Sequence, residues 1–106
     1  MTQSKRSALL KKGERLFNSG LYFEAHEVWE EVWKESSGEK KKVLQGLIQA
    51  AAGFHKLKQG QPVGAARLFD RAVRKLEGAP ALNGFQKEVL QKIKLVPREG
   101  IEPTRP

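Results

Sequence analysis

His26 and Glu30 are the side chains in this sequence best placed to do chemistry together. They stand four residues apart in Phe23-Glu-Ala-His-Glu-Val-Trp-Glu-Glu-Val-Trp33, so on a helix they share one face. His55, the second of two histidines, offers a third ligand from a later segment. Two imidazoles and one carboxylate form a set that iron and zinc accept, and Glu27 would be the base of such a centre. The spacing departs from two metal patterns. The zinc-protease His-Glu-x-x-His would need histidine where Glu30 stands, and the Glu-x-x-His of helical di-iron bundles would need glutamate where Phe23 stands. A simpler reading makes His26 a hydrogen-bond donor between helices. It makes His55 a satisfied core histidine in the apolar arc with Leu44, Ile48 and Ala51. Gln45 and Gln49 share a face and are suited to reading a ligand or covering a helix. The candidate polar cluster is therefore His26, Glu27, Glu30, Gln49 and His55.

A second set is basic. Arg67, Arg71 and Arg74 form a stripe with Lys75 beside it, and such a row can track phosphates. The aromatic residue nearby, Phe69, falls on the apolar side, so no ring is interleaved for base stacking. The plainer reading is a solvated face, or the partner of an acidic row described below. Net charge is +8 and the pI about 10. The excess is uneven, with nine Lys/Arg against seven Asp/Glu in residues 1–53 and eleven against five in 54–106. A basic half attracts nucleic acid, anionic lipid or an acidic protein.

These residues sit on a helical framework. No segment alternates like a strand, and an all-α chain is expected. A first helix at 4–19 carries the stripe Leu9, Gly13, Leu16 and Phe17, and Asn18-Ser19-Gly20 breaks it. A second, from about Tyr22 to Glu35, repeats Tyr22, Ala25, Trp29 and Val32 at helical spacing, with both tryptophans read as core. Ser36 and Glu39 have capping-box spacing. The third helix, at about 40–59, is the most apolar. Gly46, Ala50 and Gly53 lie along one edge, where missing side chains would let another helix approach. Gly60 stops that helix and Pro62 starts the fourth, which runs to about Glu77. Asn83 with Gln86 caps a fifth helix that ends near Leu95 before Pro97. Residues 1–97 read as one domain and 98–106, with charges and two prolines, as a flexible tail.

Gly20 and Gly60 open segments that align without a gap. Ala25 matches Ala65, Trp29 matches Phe69, Val32 matches Ala72 and Trp33 matches Val73. The chain thus reads as two stacked helical hairpins with tetratricopeptide-like packing, capped by the fifth helix. The period of about 40 residues exceeds the 34 of a true tetratricopeptide. The same register sets Glu27, Glu31 and Glu35 against Arg67, Arg71 and Lys75, so an acidic row would face a basic one if the hairpins stack in parallel.

Phe17-Asn-x-Gly20-x-Tyr22-Phe23-Glu24-Ala25-His26-Glu27, Leu44-Gln45-Gly46-Leu47-Ile48-Gln49, His55 and Gly64-Ala65 together resemble the family known as domain of unknown function 309. These are small bacterial and archaeal helical proteins. The resemblance covers about residues 10 to 77 and implies a compact all-α fold with no established activity.

The expected protein is a compact bundle of about five helices that serves as a non-catalytic interaction module for a protein partner, without a cofactor. It has no cysteine, no signal-peptide core and no run of about 20 apolar residues, so a cytoplasmic place is expected and a membrane is not. The rival is a metal-binding protein or metal-dependent hydrolase using His26, Glu30 and His55. Nucleic-acid binding through the basic helix comes third.

Overall fold

Helix breakers and apolar stripes divide the chain where the sequence places them. The computed structural model describes residues 1–97, and the tail expected at 98–106 lies outside the described residues. Five helices follow in order: α1 Gln3–Asn18, α2 Tyr22–Lys34, α3 Gly38–Lys58, α4 Pro62–Glu77 and α5 Gly84–Lys94. There is no strand among the described residues, and no described helix is long and apolar enough to cross a membrane.

The two hairpins, α1 with α2 and α3 with α4, close with the same backbone device. Gly20 and Gly60 take φ values of 79° and 73°, the left-handed region that glycine enters without a Cβ penalty. Leu21 N–H then reaches back to the Leu16 carbonyl, and Gln61 N–H to the Lys56 carbonyl, at 2.9 Å each. Each is a Schellman closure that satisfies carbonyls left over at a helix end. The aligned positions behave alike, since Ala25, Ala65, Trp29, Phe69, Val32 and Ala72 are all buried.

The hairpins pack through α3, which lies against α2 on one side and α4 on the other. On the α4 side, the edge of small residues does what its composition implies. A Cβ on Gly53 would come within 2.6 Å of the Phe69 ring, and one on Gly46 within 3.2 Å of Leu76 and Lys75. A third close approach is in the first hairpin, where a Cβ on Gly13 would fall inside the Trp29 indole. Trp29 Nε1 donates to the Leu10 carbonyl across that contact at 3.3 Å.

α5 closes the core from a direction its own sequence does not reveal. Phe85 packs edge-on against Phe17 at 5.8 Å and against Trp29 at 5.9 Å. Lys92 donates to the Tyr22 hydroxyl at 2.9 Å and lies over the Phe17, Tyr22 and Phe54 rings. The Asn83–Gln86 capping box forms with both of its hydrogen bonds. The one expected between Ser36 and Glu39 does not. Ser37 is the cap residue, and Ser36 Oγ donates to the Val32 carbonyl at 2.7 Å, extending α2 instead of starting α3.

The acidic and basic rows do not meet. α3 packs between α2 and α4, and among the described residues none of Glu27, Glu31 or Glu35 pairs with Arg67, Arg71 or Lys75. Glu35 instead accepts from the Met1 α-ammonium at 2.7 Å, a contact that holds its carboxyl below the ordinary glutamate value.

Candidate functional site

α2 and α3 run side by side, and their facing side chains leave a surface cleft in two parts. At one end Phe23, His26, Ala52, His55 and Lys56 line a hollow of about 140 Å³. At the other, Glu30, Trp33, Gln45, Ile48 and Gln49 line one of about 200 Å³. Phe23 and Trp33 are ten residues apart on α2, so the two parts together extend about 15 Å along the helix.

Each polar side chain of the cleft takes its place from helical periodicity. His26 and Glu30 are one turn apart, and Glu30 Oε1 accepts from His26 Nε2 at 2.8 Å. A carboxylate can only accept, so the proton of a neutral His26 is on Nε2 and Nδ1 is left as an acceptor. That Nδ1 is buried without a partner. Trp33 repeats the situation with the opposite sign, because its Nε1–H is a donor, buried and equally unpartnered. Lys41 lies over the Trp33 ring, 4.3 Å from its centroid. Phe23 packs against both imidazoles, 6.1 Å from His26 and 5.3 Å from His55, and nearly half of it remains exposed.

Gln49 links this cleft to α4. Its Oε1 accepts from Lys75 Nζ at 3.0 Å, which draws one member of the basic stripe to the rim. Burial, and then the positive charges of Arg71, Arg74 and Lys42, push the Lys75 ammonium below the ordinary lysine value. Arg67, Arg71 and Arg74 themselves stay exposed on α4.

The structure therefore gathers four of the five cluster residues chosen from sequence, His26, Glu30, Gln49 and His55, on one surface. Glu27 is not among them and stands exposed elsewhere on α2. His55 is half-buried at the rim of the cleft rather than packed in the core. Trp33 shares that position, whereas Trp29 is core. The convergence of His26, Glu30 and His55 on a metal, which the rival reading requires, is not seen among the described residues. Among the described residues no three His, Asp or Glu side chains are placed to hold an ion. The physical reason is that His26 commits Nε2 to Glu30 while His55 sits across the Phe23 ring on another helix. The lining also carries no Ser, Thr or Cys to serve as a nucleophile. A further cleft of about 230 Å³, beside Leu10, Val43 and Pro80, holds none of the selected residues.

The site residues chosen from sequence leave out Ile48, Lys41 and Phe23, although Phe23 shares the helix flank of His26 and Glu30. An aromatic residue at Phe23, beside Tyr22 and off the stripe of Ala25 and Trp29, was the available signal for an exposed ring.

Comparison with known proteins places these features in a shared fold. The family described as Domain of unknown function (DUF309) matches residues 10–68, which contain the whole α2–α3 cleft. An uncharacterised protein of Aquifex aeolicus is 36% identical over 78 residues, 73% of this chain and 23% of that protein. The uncharacterised protein YpuF of Bacillus subtilis is 39% identical over 57 residues, 53% of this chain and 33% of that protein. The chain thus spans about a quarter to a third of the length of the curated relatives it matches. A crystal structure titled as a conserved hypothetical protein, TTHA0068 from Thermus thermophilus, superimposes with a TM-score of 0.70 at 31% identity. That match covers 86% of this chain and 93% of the other.

Proposed function

The chain belongs to the DUF309 family, and from that footing we propose that it is a non-catalytic helical interaction module whose contact surface is the α2–α3 cleft. One observation carries this reading. The two side chains that carry buried atoms without hydrogen bonds among the described residues, His26 at Nδ1 and Trp33 at Nε1, both line this cleft. A buried polar group without a partner costs about 1–3 kcal/mol, so two on one surface weigh against folding alone and favour a partner that supplies the missing bonds. They are complementary, an acceptor near one end and a donor near the other, about 10 Å apart along the helix. The Phe23 ring beside them offers exposed apolar area for a partner to cover.

The longer relatives support the same reading, because a domain that fills a fraction of their length acts in the company of other segments. A chain without cysteine suits a reducing cytosol, where we place this protein.

Photo-crosslinking in cells tests the proposal. A photoreactive side chain at Phe23 or Gln45 is expected to trap the same protein, while one at Leu95, exposed at the C-terminal end of α5 and outside the cleft lining, traps none of it. Equal trapping at all three positions, or none at Phe23 and Gln45, would overturn the assignment of this surface.

A further inference from the structure

Donors and cations outnumber acceptors at the Trp33 end of the cleft, where, besides Gln49, the Glu30 carboxylate and the Gln45 amide oxygen are the side-chain acceptors of the lining. Trp33 Nε1 can only donate, and it has no acceptor. Lys41 Nζ stands over the same ring. Gln49 Oε1 is taken by Lys75, which turns the rest of that amide into a pair of N–H donors. Lys42, Arg71 and Arg74 act on Lys75 as like charges, so positive potential backs the one ammonium of α4 that reaches the rim. The carboxylate that lines this end, Glu30, is already engaged by His26. Ile48 forms an apolar part of the floor beneath them.

We infer that the Trp33 end of the cleft is a docking site for an acidic segment of a partner protein, with a carboxylate accepting from Trp33 Nε1, further carboxylates against Lys41, Lys42 and Lys75, and an apolar side chain over Ile48. This rests on the interaction reading above and adds the chemistry of the partner to it. Trp33 Nε1 is screened in the free protein, so docking requires a side chain above it to move. Lys41, whose ammonium stands over the Trp33 ring, is one such side chain, and a cation–π contact holds it there by about 0.5–1 kcal/mol. An incoming carboxylate keeps that ammonium satisfied as it swings aside. The same anion removes the like-charge crowding around Lys75. A protein segment fits this end better than a nucleic acid does. The site offers one partly covered indole and a narrow apolar floor, where a single strand would want a row of open rings beside the cations.

The two tryptophans supply their own internal control. In a ¹⁵N spectrum of the full chain the Trp29 indole N–H, bonded to Leu10, reports the core, and the Trp33 indole N–H reports the cleft. Titration with a capped glutamate-rich peptide carrying a central leucine is expected to shift the Trp33 signal saturably and leave Trp29 in place. Exchanging both Lys42 and Lys75 for Gln is expected to weaken the binding about tenfold. Trp33→Phe, which keeps a ring and removes the donor, is expected to weaken it as well. A peptide that leaves the Trp33 signal unmoved, or that binds both variants as tightly as the parent, would overturn the proposal. So would a single-stranded oligonucleotide of equal charge that shifts Trp33 when the peptide does not. If crosslinking from Phe23 still traps its partner while the peptide is silent, the interaction surface stands and the acidic chemistry alone falls.

Discussion

α3 has two long edges, and the molecule treats them in opposite ways. Toward α4 the edge is made of Gly46, Ala50 and Gly53, and the backbones close until a single added carbon would strike Phe69. Among the described residues no buried side-chain polar atom is left unpartnered there. Toward α2 the edge carries Gln45, Ile48, Ala52 and His55, the helices stand apart enough to leave a cleft, and two buried polar atoms go unsatisfied. A helix packed this closely on one side is rigidly placed, so the groups on its other side are presented in a fixed frame. One edge is closed by packing, and the other keeps polar groups that the fold leaves unpartnered.

Substitutions on the two edges should separate accordingly. The largest effect is expected at Gly53→Val. Valine and glycine are both poor helix formers, so the loss reports the collision with Phe69 and should be about 3 kcal/mol by urea unfolding. Its neighbour Ala52→Val, on the cleft side, should lose less than about 1 kcal/mol. Next come the hairpin turns. Gly20→Ala and Gly60→Ala each force a Cβ into the left-handed region, and each should cost about 1–2 kcal/mol. Equal losses are expected because both turns make the same pair of hydrogen bonds. A loss at one turn alone, read from melting temperatures, would break the equivalence of the hairpins.

The smallest effect concerns Lys75. Its folded-state pKa lies below the unfolded one, so the unfolded chain binds more protons in the window just under the ordinary lysine value. Stability should therefore climb as pH rises through that window. Lys75→Met removes the charge and should be slightly more stable than the parent near neutral pH, with the gap closing as pH rises. Urea midpoints of the two proteins across that range check the sign. A gap that widens with pH would mean that Lys75 gains an attractive partner in the fold.

Much of this contrast is legible in the sequence. Glycines at positions 46 and 53 with Ala50 between them mark a close approach, and Gly20, Gly60 and Pro62 mark the turns, because these residue types act through their own backbone geometry. The shared face of His26 and Glu30 follows from spacing alone. What spacing does not give is the other side of a contact. Periodicity puts Trp33 on an apolar stripe but does not say whether a neighbouring helix covers it, and α3 leaves it at a rim. The same gap explains His55, which looks internal on a helical wheel and lies beside Phe23. Ser36 misleads for a local reason, since its hydroxyl can turn back to the Val32 carbonyl as readily as forward to α3. Lys75 reaching Gln49, and Phe85 reaching Trp29, join residues far apart in the chain, and only the packing of whole helices decides such pairs.

If the α2–α3 surface is kept for contact rather than for holding the fold, substitutions on it cost little stability. Urea unfolding of Phe23→Ser beside Gly53→Val tests it most directly. The expected change is under about 1 kcal/mol for the exposed ring at Phe23, against about 3 kcal/mol for Gly53. A Phe23→Ser protein destabilised as severely as Gly53→Val would contradict it, and would make the cleft a part of the core.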